Sequence, residues 1–253
     1  IEEPRDEPFF LYFAHTFPHQ PLFASEAFHG RSDAGLYGDV VAEIDWSVGA
    51  VLDALDRRGV ADDTLVVFTS DNGPWYYGSP GGLRGRKGQS FEGGHRVPML
   101  ARWPQRIPAG SVSDVPAINL DLFPTIVALA GAAPPADRVL DGRDMFAVLT
   151  GAATEAHDGA LFFYHQGTIE GVRRGRWKYL REMHHYVWPN PLNRVTGFLA
   201  RQTRGPVPAL YDLTIDPDES YNLAGRHPDV VADLARELAE FEASLQANRK
   251  GLR

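Results

Sequence analysis

The sequence predicts an α/β fold with a parallel-centred sheet flanked by helices over residues 1–155, followed by a small antiparallel-sheet plus helix subdomain over residues 156–253. Three observations carry this reading. Short runs such as Phe9-Phe10-Leu11-Tyr12-Phe13 and Leu65-Val66-Val67-Phe68 are apolar on both faces, as expected of strands covered on both sides. A long amphipathic stretch lies between them, giving the strand–helix–strand order of a parallel crossover. Beyond about residue 155 the pattern changes to short strands separated by turns, the mark of an antiparallel sheet.

The elements follow in order. A strand is expected at 9–13, then a loop containing Pro18-His19-Gln20-Pro21. Tyr37, Val41, Ile44, Val48, Val51 and Leu55 recur at spacings of four and three, which predicts a helix with Asp33 as its N-cap and Gly59 at its end. A strand is expected at 64–69 and another at 97–103, on either side of a glycine- and arginine-rich stretch. Residues 120–130 and 144–149 are expected to be helical. Strands are expected at 161–164, 170–174, 177–181 and 210–213. The last helix, from Pro228 to Asn248, presents Val231, Leu234, Leu238, Phe241 and Leu245 on one face, with proline suited to its first turn.

Composition narrows the function. Hydrophobic residues make up 43% of the 253, enough for a sizeable core. The formal net charge of −8 argues against nucleic acid or an anionic membrane as partner, while leaving room for a local basic pocket. No apolar run approaches the roughly 18 residues of a membrane span. There is no cysteine, and no Asn is followed two positions later by Ser or Thr. Together these disfavour a eukaryotic secretory product, and the abundance of Ala, Arg, Asp and Gly fits a bacterial source.

Three stretches carry candidate chemistry. In Thr69-Ser70-Asp71-Asn72-Gly73-Pro74 an Asp and an Asn stand at the end of a buried strand, where open α/β sheets bind ligands. Their oxygens are hard donors suited to Ca²⁺ or Mg²⁺. Asp-Asn-Gly is equally a common turn sequence. The stretch 81–98 sets Arg84, Arg86, Lys87 and Arg96 among six glycines, the makings of an anion cradle, or of a solvated basic loop. Its spacing does not match a nucleotide-binding P-loop. Held between prolines, His19 can donate to an anion or protonate a leaving oxygen. As a lone loop histidine it can equally be structural, and the same applies to His15, His29, His95, His184 and His185.

Taken in order, these stretches resemble the arylsulfatase family, the formylglycine-dependent sulfatases of the alkaline-phosphatase superfamily. The resemblance runs through Pro18-His19-Gln20-Pro21, Glu43-Ile44-Asp45-Trp46-Ser47-Val48-Gly49, Ser70-Asp71-Asn72-Gly73-Pro74, Lys87-Gly88 and Glu92-Gly93-Gly94-His95-Arg96-Val97-Pro98. It continues through Gly171-Val172-Arg173-Arg174-Gly175-Arg176-Trp177-Lys178-Tyr179, Leu210-Tyr211-Asp212-Leu213, Asp216-Pro217 and Asn222-Leu223, so that it spans nearly the whole chain. It implies sulfate ester hydrolysis on an alkaline-phosphatase-like fold. It implies Asp71 and Asn72 as metal ligands, usually to Ca²⁺ with Mg²⁺ as the alternative. His19 and Lys87 are implied as catalytic, sulfate-binding residues.

The departure is the nucleophile. The family makes a formylglycine from Cys or Ser in a Cys/Ser-X-Pro-X-Arg motif, and no such motif occurs among the 253 residues. The family's first-strand aspartates are absent as well. The expectation is therefore the C-terminal part of a sulfatase. Its formylglycine would lie outside this chain, in an N-terminal half that is itself a required partner, and the isolated chain would be inactive. The expected substrate is a sulfated small molecule or carbohydrate. The alternatives are a phosphodiesterase or phosphonate hydrolase of the same superfamily, or an inactive truncated fragment. Residues 183–208 resemble an insertion whose His184, His185, Tyr186, Trp188 and Arg194 suit either a sulfated sugar or a packed surface loop.

Overall fold

The computed structural model describes residues 1–3, 7–155, 159–187, 201–204 and 207–248. They form two compact units: residues 1–68 with 100–111, and residues 69–99 with 112–253.

The first unit is organised by helix α1, Gly35–Arg57. Val40, Ala54 and Leu55 are its buried apolar residues, while Val41 and Trp46 of the same helix are exposed. The expected stripe is thus only half covered. Asp33 does not cap the helix: Ala34 holds that position without a side-chain bond. Asp39, one turn in, has a different task. Its carboxylate accepts from the backbone N–H groups of Gly30, Arg31 and Ser32 at 2.8, 3.0 and 2.7 Å, folding the preceding loop onto the helix. The C-terminus behaves as expected. Gly59 takes φ +67°, its N–H bonds Asp56 O and that of Val60 bonds Leu55 O, closing the helix in a Schellman motif.

A short 3₁₀ turn, Ala61–Asp63, leads into β1, Val66–Thr69, which pairs with β2, Met99–Arg102. Residues 9–13 do not form the expected strand. Phe10, Leu11, Tyr12 and Phe13 are exposed, and none of the described residues supplies a ladder for them. An apolar run specifies a strand only where a neighbouring strand satisfies its backbone.

The second unit contains the short helices α2, Glu92–His95, α3, Leu122–Leu129, and α4, Phe146–Leu149. Its sheet is built from β3, Leu161–His165, β4, Thr168–Arg174, β5, Trp177–Leu180, and β8, Ala209–Asp212, antiparallel throughout in the order β3-β4-β5-β8. Two further strands, β6, His184–Val187, and β7, Arg201–Arg204, pair antiparallel with each other. They fall within the expected insertion, whose Trp188 and Arg194 lie outside the described residues.

The four-stranded sheet is covered on both faces. On one lies α5, Pro228–Ala247, whose Leu234 and Leu238 are fully buried with Ile169, Val172, Tyr179 and Leu210, while Phe162 and Phe241 stack at 3.6 Å. Burying each leucine contributes about 1.5–3 kcal/mol. On the other face Leu180, Ala209 and Tyr211 pack against Phe91, which comes from the glycine-rich stretch. The period of two along β5 explains this: Trp177 and Tyr179 face α5, Lys178 and Leu180 face the loop. A bulge adds one more loop-facing group. Phe163 pairs with Gly171 and Tyr164 with Ile169, so Glu170 is left without an opposite residue and turns to Ser90, whose hydroxyl donates to it at 2.5 Å.

Candidate functional site

The strand-end turn and the glycine-rich loop meet backbone to backbone within the second unit. Gly73 N–H donates to Gly94 O at 2.9 Å, and Lys87 N–H donates to Pro74 O at 3.0 Å. Asn119 Nδ2 donates to Ser70 O at 2.9 Å and Ser70 Oγ to Asn72 O at 3.2 Å, fixing the turn from its other side. The approach is so close that a Cβ on Gly73 would lie 2.0 Å from Gly93 O. Asp71, Asn72 and Lys87 are thereby carried on one frame. Asp71 is exposed, and Asn72 and Lys87 are half-buried.

The four loop cations divide by role. Arg84 donates to Glu219 O at 2.7 Å and lies 4.1 Å over the Phe91 ring. Arg86 donates to Gly78 O at 2.6 Å and Trp75 O at 3.1 Å. Both are spent on shaping the loop rather than on cradling an anion, which corrects the expectation of a four-cation cradle. Arg96 lends its charge to Glu92. Neither the Lys87 nor the Arg96 side chain makes an ion pair or hydrogen bond among the described residues, and of the two Lys87 lies on the segment bonded to Pro74.

Beneath the loop lies a buried charge cluster not singled out in the sequence. Lys178 Nζ, with a side chain that is 0% exposed, stands 3.0 Å from Glu92 Oε1 and 2.9 Å from Glu219 Oε1. Glu92 N–H donates to Glu219 Oε2 at 2.6 Å, and Arg173 reaches Glu92 at 3.5 Å. Burial is the largest single influence on the Glu92 carboxyl and raises it, but the Lys178 ammonium together with the Arg173 and Arg96 charges outweighs it and the pKa falls below the ordinary 4.5. For Glu219 burial wins and the pKa rises. The available signal was a lysine in the apolar strand Trp177-Lys178-Tyr179-Leu180.

His95 packs edge-on against Phe163 with ring centroids 5.1 Å apart. Part of its surface meets solvent, yet crowding of the ring, and then the Lys178 charge, push its pKa down to about 4. It therefore adds no positive charge to the loop at neutral pH. His165 Nδ1 donates to Gly88 O at 2.7 Å, a second tie between sheet and loop.

His19 belongs to the other unit. It is exposed, and its Nδ1 donates to Gln20 O at 2.7 Å, which leaves Nε2 outward. Its loop is anchored on both sides to α1: His15 Nε2 lies 3.1 Å from Ser47 Oγ, and Ser25 N–H donates to Glu43 Oε2 at 2.8 Å.

The sequence profile of the family described as Sulfatase matches residues 1–132. The chain belongs to the sulfatase family. A second profile, described as N-sulphoglucosamine sulphohydrolase, C-terminal, matches residues 86–244 of this sulfatase chain. The chain is 38% identical to the steryl-sulfatase of Mus musculus over 274 residues, covering 98% of this chain and 43% of that protein. Among solved structures it resembles one from work on glycosaminoglycan metabolism by Bacteroides thetaiotaomicron. The TM-score there is 0.80 and the identity 28%, over 94% of this chain and 51% of that one. It also resembles the phosphonate monoester hydrolase of Agrobacterium radiobacter, with TM-score 0.53 and 26% identity over 83% of this chain and 41% of that one. The chain thus spans about half the length of the relatives it matches, and it shares their alkaline-phosphatase-like α/β fold.

As a metal centre the arrangement is incomplete by itself. A carboxylate and an amide oxygen are the right donors for Ca²⁺ or Mg²⁺. Among the described residues, however, no cluster of three or more His, Cys, Asp or Glu is placed to hold an ion. Asp71 and Asn72 fit such an ion in kind and need further donors in number.

Proposed function

We propose that this chain supplies the C-terminal part of a sulfatase active site that hydrolyses a sulfate ester. In this reading Asp71 and Asn72 ligate a divalent cation, usually Ca²⁺, while Lys87 and His19 bind the sulfate and act in catalysis. The observation that carries it is the pair of backbone bonds Gly73–Gly94 and Lys87–Pro74, which hold two hard oxygen donors and an uncommitted ammonium on one rigid frame.

Each group has a defined task. The cation, when bound, stabilises negative charge on the sulfuryl oxygens. Lys87 adds a fixed positive charge where charge develops, in a loop already preorganised by Arg84 and Arg86. With its Nδ1–H engaged at Gln20 O, His19 presents Nε2 to the ester oxygen and, acting as the imidazolium, delivers the Nε2 proton to the departing alcohol oxygen, leaving the neutral Nδ1–H ring. The nucleophile, a formylglycine, comes from sequence beyond these 253 residues. The substrate is a sulfated small molecule or carbohydrate. Lys87 in its glycine-rich setting favours a sulfate over a phosphodiester or phosphonate.

The test is turnover of an aryl sulfate. The isolated chain is expected to show none. In the polypeptide that also carries the nucleophile, Lys87→Ala is expected to lower kcat by about 10²–10³, the scale of removing one transition-state donor. Clear turnover by the isolated chain, or full activity after Lys87→Ala, contradicts the reading.

A further inference from the structure

We propose that Lys178 is a positioning residue: through its two buried carboxylate partners it sets the turn carrying Asp71 and Asn72 and the loop carrying Lys87 relative to each other. This rests on the reading of those three as ligand-facing groups and deepens it by assigning a task to the sheet beneath them.

Two routes lead from Lys178 to the site. Along the first, its ammonium holds Glu92, the opening residue of α2, at 3.0 Å. That short helix presents Gly94 O to Gly73 N–H at 2.9 Å, and Gly73 directly follows Asn72. Along the second, the ammonium holds Glu219 at 2.9 Å. Glu219 in turn receives Glu92 N–H on its carboxylate at 2.6 Å and Arg84 on its backbone oxygen at 2.7 Å. Arg84 O accepts Gly93 N–H at 2.7 Å, and Lys87 N–H closes the circuit on Pro74 O. Every link lies within one compact unit.

The cluster is better explained as a device for geometry than for stability. Buried ion pairs commonly contribute little beyond what apolar side chains of similar volume would give. Here the lysine stands on a strand face whose apolar members are Leu180, Ala209 and Tyr211. Glu219 also takes φ +53°, a conformation L-residues rarely adopt, and it is tied at once by its carboxylate and its carbonyl. Strain held in place by several partners is characteristic of sites where geometry matters. An ammonium with two carboxylates and an aromatic face, Phe163 at 4.1 Å, has little freedom to reorient.

The experiment is backbone amide hydrogen exchange by NMR on this chain, with inorganic sulfate as probe. Lys178→Met alone leaves two carboxylates buried, so it is paired with the double variant Lys178→Met, Glu219→Gln, which removes one charge of each sign. In the double variant the amides of Gly73, Lys87 and Gly93 are expected to exchange at least about tenfold faster, while those of β5, β8 and α5 keep wild-type rates. Wild-type protection at Gly73 and Lys87 overturns the proposal. So does acceleration of loop and sheet together, which marks a merely structural role. Sulfate is expected to shift the Lys87 and Gly88 resonances in the wild type and to do so more weakly in the double variant. Absence of any shift in the wild type counts against the sulfate-site reading alone, and the exchange rates still decide the positioning role.

Discussion

Alanine in place of Gly73 tests whether turn and loop are locked as closely as their backbone bonds indicate. The added Cβ would lie 2.0 Å from Gly93 O and 2.9 Å from the carbonyl carbons of Gly93 and Gly94. These are backbone atoms and cannot rotate aside, so the turn has to move away. Overpacking of this kind costs about 1–3 kcal/mol. The displacement also breaks the Gly73–Gly94 hydrogen bond, worth about 0.5–1.5 kcal/mol. The sum is roughly 1.5–4.5 kcal/mol. Gly49→Ala is the matched control: it sits inside α1 with nothing within 4 Å of its Cβ position, and is expected to stabilise by about 0.5–1 kcal/mol. Urea unfolding at constant m-value gives both numbers. A Gly73→Ala midpoint equal to wild type would refute the close approach, and opposite signs for the two glycines would support it.

Other perturbations probe separate parts of the chain. Lys178→Met is expected to cost about 3–5 kcal/mol in urea unfolding, because two carboxylates stay buried without their ammonium; a near-neutral result would mean that water enters the cluster. Leu238→Ala, at a fully buried position against the sheet, is expected to cost about 2–5 kcal/mol, and a loss below that range would show that α5 settles into the cavity. Asp39 has a lowered pKa, first through the Gly30 N–H and then through the Ser32 N–H. A depressed carboxyl contributes stability above its ordinary value of 3.8 and loses it as pH falls below, so Asp39→Asn should flatten the pH dependence of α1 unfolding in that acid range only. An unaltered acid profile would mean that the three backbone bonds are not retained in solution.

How much of this was legible depended on whether the determining contacts were local. Helix α1 and its stop at Gly59 follow from spacing and one glycine, and α5 from its apolar face and Pro228, so their bounds emerge within a residue or two. The antiparallel sheet was visible as short runs between turns. The run at 9–13 forms no strand because a strand is defined by its neighbour, which no run of apolar letters reveals. Asp33 does not cap because Ala34 holds the N-cap position, while Asp39 ties the loop before the helix through the N–H groups of Gly30, Arg31 and Ser32. The Lys178 cluster is assembled from residues up to 127 apart, and beyond the lysine set in an apolar strand no local pattern marks its members.

The Asp-Asn-Gly stretch shows how geometry separates two readings that share the same letters. A glycine serving a tight turn is there for its positive φ, as at Gly81, Gly82, Gly85 and Gly88. Gly73 is not in that conformation, and neither are Gly93 and Gly94. What these three share is the absence of room for a side chain: a Cβ on Gly73 would strike Gly93 O of the loop at 2.0 Å, while a Cβ on Gly93 or Gly94 would strike carbonyls of the loop itself, Arg84 O at 2.6 Å and Gln89 O at 2.0 Å. Gly73 thus serves the approach of turn to loop, and Gly93 and Gly94 serve the tight folding of the loop that receives it. An ordinary surface turn needs no such contact with a loop 20 residues later. The contact makes sense if the groups on the two segments, Asp71 and Asn72 on one and Lys87 on the other, have to act on a common ligand.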